Sequence, residues 1–438
     1  MKRFLNPVPH LASLWQLAQW TVLVVPVAII SGSASALFLW SLDYVTQLRW
    51  NNPWLLYLLP LAGLFTASIY HNLGKKAESG SNLILDEIHA SGGGVPSRMA
   101  PLILFTTLVS HLFGASVGRE GTAMQMGGSL AAGYGKLFSI NKKNIRILLI
   151  AGIAAGFGSV FGTPLAGAVF ALEVLVIGRL EYGVFIPVCA ASVVGDQVCR
   201  AWGIHHQQYL IATPLNSGLF ADLSIRFVGY AILAGILFGL AGRFFSELTH
   251  NLKKIFSHVF TAAPLRAFAG GALIIALTYV LGTRDYLGIG VTSYDPHGIS
   301  IVGAFTLEGA TSYSWLWKII FTALAIGSGF KGGEVTPLFF IGAALGHTIA
   351  VALGLPIDLF AGLGFIAIFA AAANTPLACT IMGAELFGSH YLIYYAIVCF
   401  LAYHFSGHGG IYGSQRIGVA KDNSSHVNGK TLTEVRST

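Results

Sequence analysis

Charged side chains are scarce in this chain of 438 residues, because Asp, Glu, Lys and Arg together make up only 10% of it. A soluble domain usually carries about 25% charged residues, so the composition argues against a water-soluble protein. Cysteines are also few, and the four lie scattered in apolar segments without the spacing of a metal site. There is neither a His-Glu-x-x-His zinc motif nor a phosphate-binding glycine loop that ends in lysine. We therefore expect no metal and no cofactor.

What the chain contains instead is a series of long apolar runs. Hydrophobic residues account for 55% of it, and the clearest uncharged runs cover residues 17–42, 147–172, 227–242 and 267–283. Several reach the roughly 17–25 residues that a helix needs to cross a bilayer. The first run is too long for a cleavable signal peptide. The pattern predicts an all-α protein that crosses a membrane several times.

Basic residues outnumber acidic ones, which gives a formal net charge of +7. They are concentrated in short connections between the apolar runs. Examples are the pairs Lys75-Lys76, Lys142-Lys143 and Lys253-Lys254. This distribution is typical of loops that face the cytoplasm. No basic stripe carries interleaved aromatic residues, so we expect no nucleic-acid partner.

Two short motifs each occur twice along the chain. A glutamate two residues before a threonine occurs at Glu120 and again 214 positions later at Glu334. The sequence Thr-Pro-Leu-Ala begins at Thr163 and again 212 positions later at Thr375. Two motifs repeated in the same order at nearly the same offset indicate an internal duplication, which is typical of transporters with a site between two halves.

This duplication suggests a division of the chain into four parts. They are an amphipathic N-terminal segment (1–16), a first transmembrane repeat (17–210), a second transmembrane repeat (211–420) and a short C-terminal tail (421–438). Many segments are interrupted by glycine. We therefore expect short helices that enter the membrane and stop, as at 80–89 and 159–170.

The glutamate motifs combine features that suit a small anion. A helix that begins inside a bilayer presents unpaired N–H groups and a positive dipole end, which bind an anion without a fixed positive charge. Glycines let the backbone approach the anion, and hydroxyl groups add donors. The residues concerned are Ser81, Gly118, Gly121, Thr122, Gly333 and Thr336. Glu120 is itself an anion at a helix start, so its protonation would link anion passage to proton movement.

Several of these charged residues also have a purely structural interpretation. Arg119 could simply pair with Glu120, and Glu334 could form a hydrogen bond between helices. Glu173 and Glu385 each follow the threonine of a Thr-Pro motif by ten residues. We interpret both as structural polar groups at helix ends.

A serine-hydrolase pattern, Gly-x-Ser-x-Gly, is present around Ser116. Such a nucleophile needs a strand-turn-helix elbow and a histidine oriented by a third group. Here the pattern lies in an apolar helical run, and nothing orients His111, which is five residues away. Packing explains these small residues better than catalysis, so we do not expect an enzyme.

Several motifs spread over residues 17–420 together resemble the CLC family of chloride channels and anion/proton antiporters. The segment 80–83, with Ser81 and Asn82, resembles the first anion-coordinating loop of that family. The gating-glutamate motif of the family is matched by Gly118, Arg119, Glu120, Gly121 and Thr122. The third motif of the family is matched by Gly333, Glu334, Val335 and Thr336. Its central tyrosine is matched by Tyr412. The resemblance implies two inverted-topology repeats with broken helices around a midplane anion site. It also implies a homodimer surrounded by lipid in the inner (plasma) membrane of a bacterium.

Details of the motifs are similar to the fluoride-exporting branch of this family. Thr122 stands where the family usually has proline, and residues 333–337 read Gly-Glu-Val-Thr-Pro. Val174 falls where proton-coupled chloride exchangers often carry a proton-transfer glutamate. Ser81 points the other way, since serine is typical of chloride-handling members. The resemblance therefore implies fluoride/proton antiport with Glu120 as the gate and Glu334 assisting proton movement; a chloride channel or a chloride/proton exchanger is the alternative.

Overall fold

The computed structural model describes residues 8–90, 94–213, 225–422 and 424–437. Within these ranges the chain forms sixteen α-helices and one two-stranded sheet. The helices are α1 (Val8–Asn51), α2 (Leu59–Leu73), α3 (Ser81–His89), α4 (Met99–Leu112), α5 (Glu120–Leu137), α6 (Lys142–Phe161), α7 (Pro164–Glu173), α8 (Phe185–Ala201), α9 (Ile225–Val259), α10 (Ala263–Leu281), α11 (Ser314–Ser328), α12 (Val335–Leu353), α13 (Ile357–Ala373), α14 (Pro376–Phe387), α15 (Leu392–Phe405) and α16 (Leu432–Ser437). In the described parts of the chain, seven helical segments are long and apolar enough to cross a membrane. The predicted all-α polytopic architecture is confirmed.

The predicted part boundaries fall near the gaps of the described structure. Residues 1–7 of the N-terminal segment lie outside the described residues, and α1 runs without a break through the predicted boundary at residue 16. The predicted boundary at residue 210 lies between α8 and α9, where residues 214–224 are outside the described ranges. The division into four parts therefore stays a prediction.

Both halves contain the same helix break, at the Thr-Pro motif. Helix α6 ends at Gly162, whose φ of +70° favours glycine, and α7 restarts at Pro164. Helix α13 ends at Asn374, which has a φ of +58°, and α14 restarts at Pro376. The prediction of a single short helix over 159–170 is wrong, because this break divides it. The short helix expected at 80–89 is present as α3.

The two halves exchange carboxylate contacts symmetrically. Glu173, at the end of α7, accepts hydrogen bonds from the backbone N–H groups of Leu377 (3.0 Å) and Ala378 (2.8 Å) at the start of α14. Glu385, near the end of α14, accepts from Leu165 (2.9 Å) and Ala166 (2.8 Å) at the start of α7. Each carboxylate satisfies N–H groups that a helix start leaves unpaired. Such a reciprocal exchange is what a two-fold relation between the halves produces. As predicted, these glutamates are structural.

The C-terminal residues are packed into the protein rather than forming a free tail. Strand β1 (Val176–Ile177) pairs in parallel with β2 (Arg416–Ile417). The Nζ of Lys421 donates to the side chains of Asn374 (2.5 Å) and Ser406 (2.9 Å). Arg436 on α16 contacts the carbonyl oxygen of Gly410. The last residues therefore support the loop that carries Tyr412.

Glycines allow the central helices to cross in contact. A methyl group on Gly127 of α5 would lie 2.0 Å from the carbonyl oxygen of Gly152 of α6. In the second half, a methyl group on Gly342 of α12 would lie 2.0 Å from the carbonyl oxygen of Gly364 of α13. Small residues that let helix backbones touch are a common device in membrane bundles. The same crossing thus holds α5 and α12 in place in each half.

The substitution Gly342→Ala is expected to destabilise the protein by about 1–3 kcal/mol or more, because the new methyl group overlaps a backbone atom that cannot rotate away. The measurement is the midpoint of thermal unfolding in detergent. Gly229→Ala is the matched control, since a methyl group there meets no atom within 4 Å. Equal melting of the two variants would contradict the tight crossing.

Candidate functional site

The two glutamate motifs lie against each other and pair through their backbones. The N–H of Gly118 donates to the carbonyl oxygen of Gly333 at 2.5 Å, and the N–H of Gly333 donates back to Gly118 at 2.7 Å. A methyl group on Gly121 would lie 3.0 Å from the Cα of Gly333. One on Gly118 would lie 2.9 Å from the Cδ of Pro337. Side chains at these positions would push the halves apart, which is why the motifs contain glycine.

The carboxylate of Glu120 is fully buried and faces the beginning of α12. Its Oε2 accepts a hydrogen bond from the backbone N–H of Thr336 at 3.0 Å, and its Oε1 accepts from the Thr336 hydroxyl. The Nε of Arg119 lies 3.3 Å from Oε1, so the ion pair between Arg119 and Glu120 that the sequence analysis considered is also present. Because α12 begins at Val335, the carboxylate sits at the positive end of that helix. A negative group is thus bound by neutral N–H and O–H donors and by Arg119.

The symmetry of the halves is broken at this point. Thr122 is the counterpart of Thr336, but its hydroxyl hydrogen-bonds to Thr107 at 2.8 Å. Glu334, the counterpart of Glu120, lines a cavity and has Lys253 and Arg436 as charged neighbours. Equivalent positions in the sequence therefore have different environments, and Glu120 alone of the two reaches the donors of Thr336.

The cavity beside Glu334 has a volume of about 240 Å³ and is lined by polar and basic residues. Its basic side chains are Lys253, Arg266 and Lys331, and its acidic ones are Glu78 and Glu334. The ammonium group of Lys331 also lies 4.2 Å from the ring centroid of Tyr70. Basic groups raise the local concentration of anions. We call this cavity the vestibule.

The structure brings six of the twelve predicted site residues to this vestibule. Its lining includes Ser81, Asn82, Gly121, Gly333, Glu334 and Tyr412. The Oδ1 of Asn82 accepts a hydrogen bond from the N–H of Ser414 at 3.0 Å, so Asn82 also holds the loop that carries Tyr412. Val335 is buried in the first turn of α12, directly before Thr336.

Sequence reasoning did not assign several polar residues of the vestibule, among them three basic side chains and Gln125. Lys253 was interpreted only as part of a basic connection, whereas it lies within α9, and Arg266 and Lys331 were not singled out because no local motif joins these three residues. Gln125 lies four residues after Gly121 on α5, so it shares the face of the helix that carries the glycine. That spacing could have identified it.

The serine-hydrolase pattern does not form a catalytic pair. The hydroxyl of Ser116 hydrogen-bonds to the hydroxyl of Thr322 at 2.9 Å rather than to His111. Ser116 is fully buried and lies four residues before Glu120 in the chain. It acts as a packing and hydrogen-bonding residue between the halves.

Comparison with known proteins identifies the family. The family model described as "Voltage gated chloride channel" matches residues 62–407. The chain belongs to the CLC family. A "Chloride/fluoride channel protein" of Pseudomonas syringae pv. tomato is 49% identical over 96% of this CLC chain and 91% of its own length. The "Putative chloride channel protein ClcB-like" of Ralstonia nicotianae is 27% identical over 78% of this chain and 79% of its own.

Solved structures agree with this assignment. A crystal structure of a CLC-type fluoride/proton antiporter is 31% identical to this CLC chain, with a TM-score of 0.86 over 92% of this chain and 99% of that one. A slow cyanobacterial Cl⁻/H⁺ antiporter is 19% identical, with a TM-score of 0.73 over 95% and 96% of the two chains, and shares the fold. The protein is therefore a multi-pass membrane protein that transports anions, and it has the inverted-repeat fold of the CLC family.

Proposed function

We propose that this CLC protein exchanges fluoride for protons and so exports fluoride, with Glu120 as its protonatable gate. The observation that carries the proposal is the binding of the Glu120 carboxylate by the N–H and hydroxyl of Thr336. These donors would bind fluoride in the same way once Glu120 takes up a proton and swings out. Names of relatives support the anion, since one is a chloride/fluoride channel protein and another a fluoride/proton antiporter.

The other residues then have distinct roles in this proposal. Lys253, Arg266 and Lys331 draw the anion into the vestibule, where Ser81 and Tyr412 offer hydroxyl groups. Glu334 passes protons between the vestibule and Glu120. Gly121 and Gly333 line the vestibule beside the gate, and their lack of side chains lets the anion approach the backbone.

We also propose that the protein works as a homodimer, with one pathway in each subunit, in the inner membrane of a bacterium. Its resemblance to the family and the bacterial origin of the 49% identical relative support this arrangement. Exposed apolar side chains such as Ile186 on α8 and Phe400 on α15 would face lipid or the second subunit.

Reconstitution into liposomes tests the proposal. Efflux of fluoride, recorded with an ion-selective electrode, is expected to exceed chloride efflux by about tenfold or more. It should also be accompanied by proton uptake, because Glu120 must be protonated to leave the site. A pH gradient should drive fluoride against its own gradient. Chloride flux above fluoride flux would reject the fluoride assignment.

A chloride channel or a chloride/proton exchanger is the second candidate. The observation that favours it is Ser81, which lines the vestibule with a hydroxyl typical of chloride-handling members. The same liposomes separate these functions. Anion flux that no pH gradient can drive uphill indicates a channel, and proton-coupled flux larger for chloride than for fluoride indicates a chloride exchanger.

A further inference from the structure

Gln125 and Ser81 face each other across the vestibule. Gln125 lies on α5, one helical turn beyond Gly121, and Ser81 is the first residue of α3. Both line the cavity, and the Nε2 of Gln125 donates a hydrogen bond to the Oγ of Ser81 at 3.4 Å. Gly80 has a φ of +59°, and a methyl group on it would lie 3.2 Å from that Nε2. The glycine therefore lets the amide approach the start of α3.

This contact determines which way the Ser81 hydroxyl can point. A serine hydroxyl has one hydrogen to donate and two lone pairs that accept. Gln125 occupies a lone pair, and this is the only hydrogen bond that the hydroxyl makes within the described residues. The hydroxyl hydrogen is not used by Gln125 and is available to donate to a group in the vestibule. In the opposite orientation the hydroxyl would turn its lone pairs towards an anion, and binding would become repulsive.

The second polar atom of the Gln125 amide, Oε1, makes no hydrogen bond within the described residues. Gln125 is only 7% exposed, and its Oε1 is buried without a hydrogen-bond partner among the described residues. Buried polar side-chain atoms are nearly always paired, so an orphan in a native protein needs an explanation. The hydroxyl of Ser81 is therefore the one hydrogen-bond partner of the Gln125 amide among the described residues.

We propose that Gln125 is a positioning residue for the transported anion, which directs the Ser81 hydroxyl hydrogen towards the anion in the vestibule. This inference rests on the proposed anion site. In this inference the Ser81 hydroxyl donates a hydrogen bond to the anion, and Gln125 determines the orientation of that hydroxyl. Gln125 and Glu120 both lie on α5, so one helix positions the amide that contacts Ser81 and the glutamate of the gate.

The test is a double-mutant cycle in purified full-length protein. Gln125→Met keeps the length of the side chain and removes both polar atoms, so Ser81 loses its fixed orientation. A hydrogen bond to a charged group corresponds to about a 10- to 100-fold change in affinity, and we expect anion binding to weaken by roughly tenfold. Calorimetric titration with fluoride and with chloride gives the affinity, and liposome flux gives the apparent KM. The double variant Q125M/S81A should bind no more weakly than Ser81→Ala alone, because Gln125 acts through Ser81.

Two further variants keep the test decisive. Gln207→Met is the matched control, since Gln207 is exposed and its Nε2 bonds to the carbonyl oxygen of Gln208. Gln125→Glu preserves the packing if Gln125→Met does not fold. Its carboxylate only accepts, so it turns the Ser81 hydroxyl away from the anion. Because the added charge also repels an anion, the comparison is with Q125E/S81A, which carries the same charge, and Gln125→Glu should bind the anion no more tightly than this double variant.

Unchanged affinity in Gln125→Met, or a full additional loss on top of Ser81→Ala, would overturn the inference. These outcomes are separate from the failure of the proposed function. If the wild-type protein moves chloride without protons, fluoride/proton antiport fails. The titration with chloride still reports whether Gln125 orients Ser81.

Discussion

Glu120→Gln is expected to abolish proton coupling while anion flux continues. Glutamine has nearly the same shape, and its carbonyl oxygen can still accept from the N–H of Thr336. It cannot take up and release a proton, however, and it carries no charge that competes with the anion. In liposomes with a pH gradient, proton movement should fall to the leak of protein-free vesicles, and the gradient should no longer drive fluoride uphill.

The control is Glu247→Gln on α9. This carboxylate is exposed and pairs with the Nε of Arg243 at 2.6 Å, away from the vestibule lining. Removing it should leave coupling as in the wild type, because an exposed ion pair contributes little. Persistent proton transport by Glu120→Gln would show that another group is the gate, and Glu334 would be the first to examine.

Thr336→Val is expected to weaken anion binding by about 10- to 100-fold, which corresponds to one lost hydrogen bond to a charged group. Valine has almost the volume of threonine, so packing is preserved and only the hydroxyl disappears. That hydroxyl contacts Glu120 in the structure, and it would contact the substrate when the carboxylate leaves. Anion affinity measured by calorimetry checks the effect.

Thr348→Val is the matched control for this substitution. It lies on the same helix, and its hydroxyl bonds to the carbonyl oxygen of Ala344 at 2.8 Å. Affinity should be unchanged there. Thr122→Val provides a second comparison, since its hydroxyl bonds to Thr107 rather than to the gate, and its effect should be smaller than that of Thr336→Val. An effect of Thr122→Val as large as that of Thr336→Val would contradict the inference that only the Thr336 hydroxyl binds the anion.

The membrane class and the duplication follow directly from the sequence. Scarcity of charge and the length of the apolar runs require a bilayer, because no soluble fold could cover so much apolar surface. The recurrence of Glu120 at Glu334 and of Thr163 at Thr375 indicates two equivalent halves. The reciprocal contacts of Glu173 and Glu385 are consistent with that equivalence. Motif residues at helix starts were also predictable, since glycine, proline and hydroxyl residues act there through local backbone geometry.

Which glutamate reaches which threonine was decided only by the tertiary structure. The motifs around Glu120 and Glu334 are equivalent in the sequence, so the chain alone treats Thr122 and Thr336 alike. Their hydroxyls differ because Thr107 of α4 packs against one and Glu120 faces the other, 216 residues away in the chain. Gln125 and the basic residues that line the vestibule could likewise be assigned to the site only from the tertiary structure. Local patterns determine helix starts and apolar faces, whereas a site between two halves depends on contacts between residues far apart in the chain.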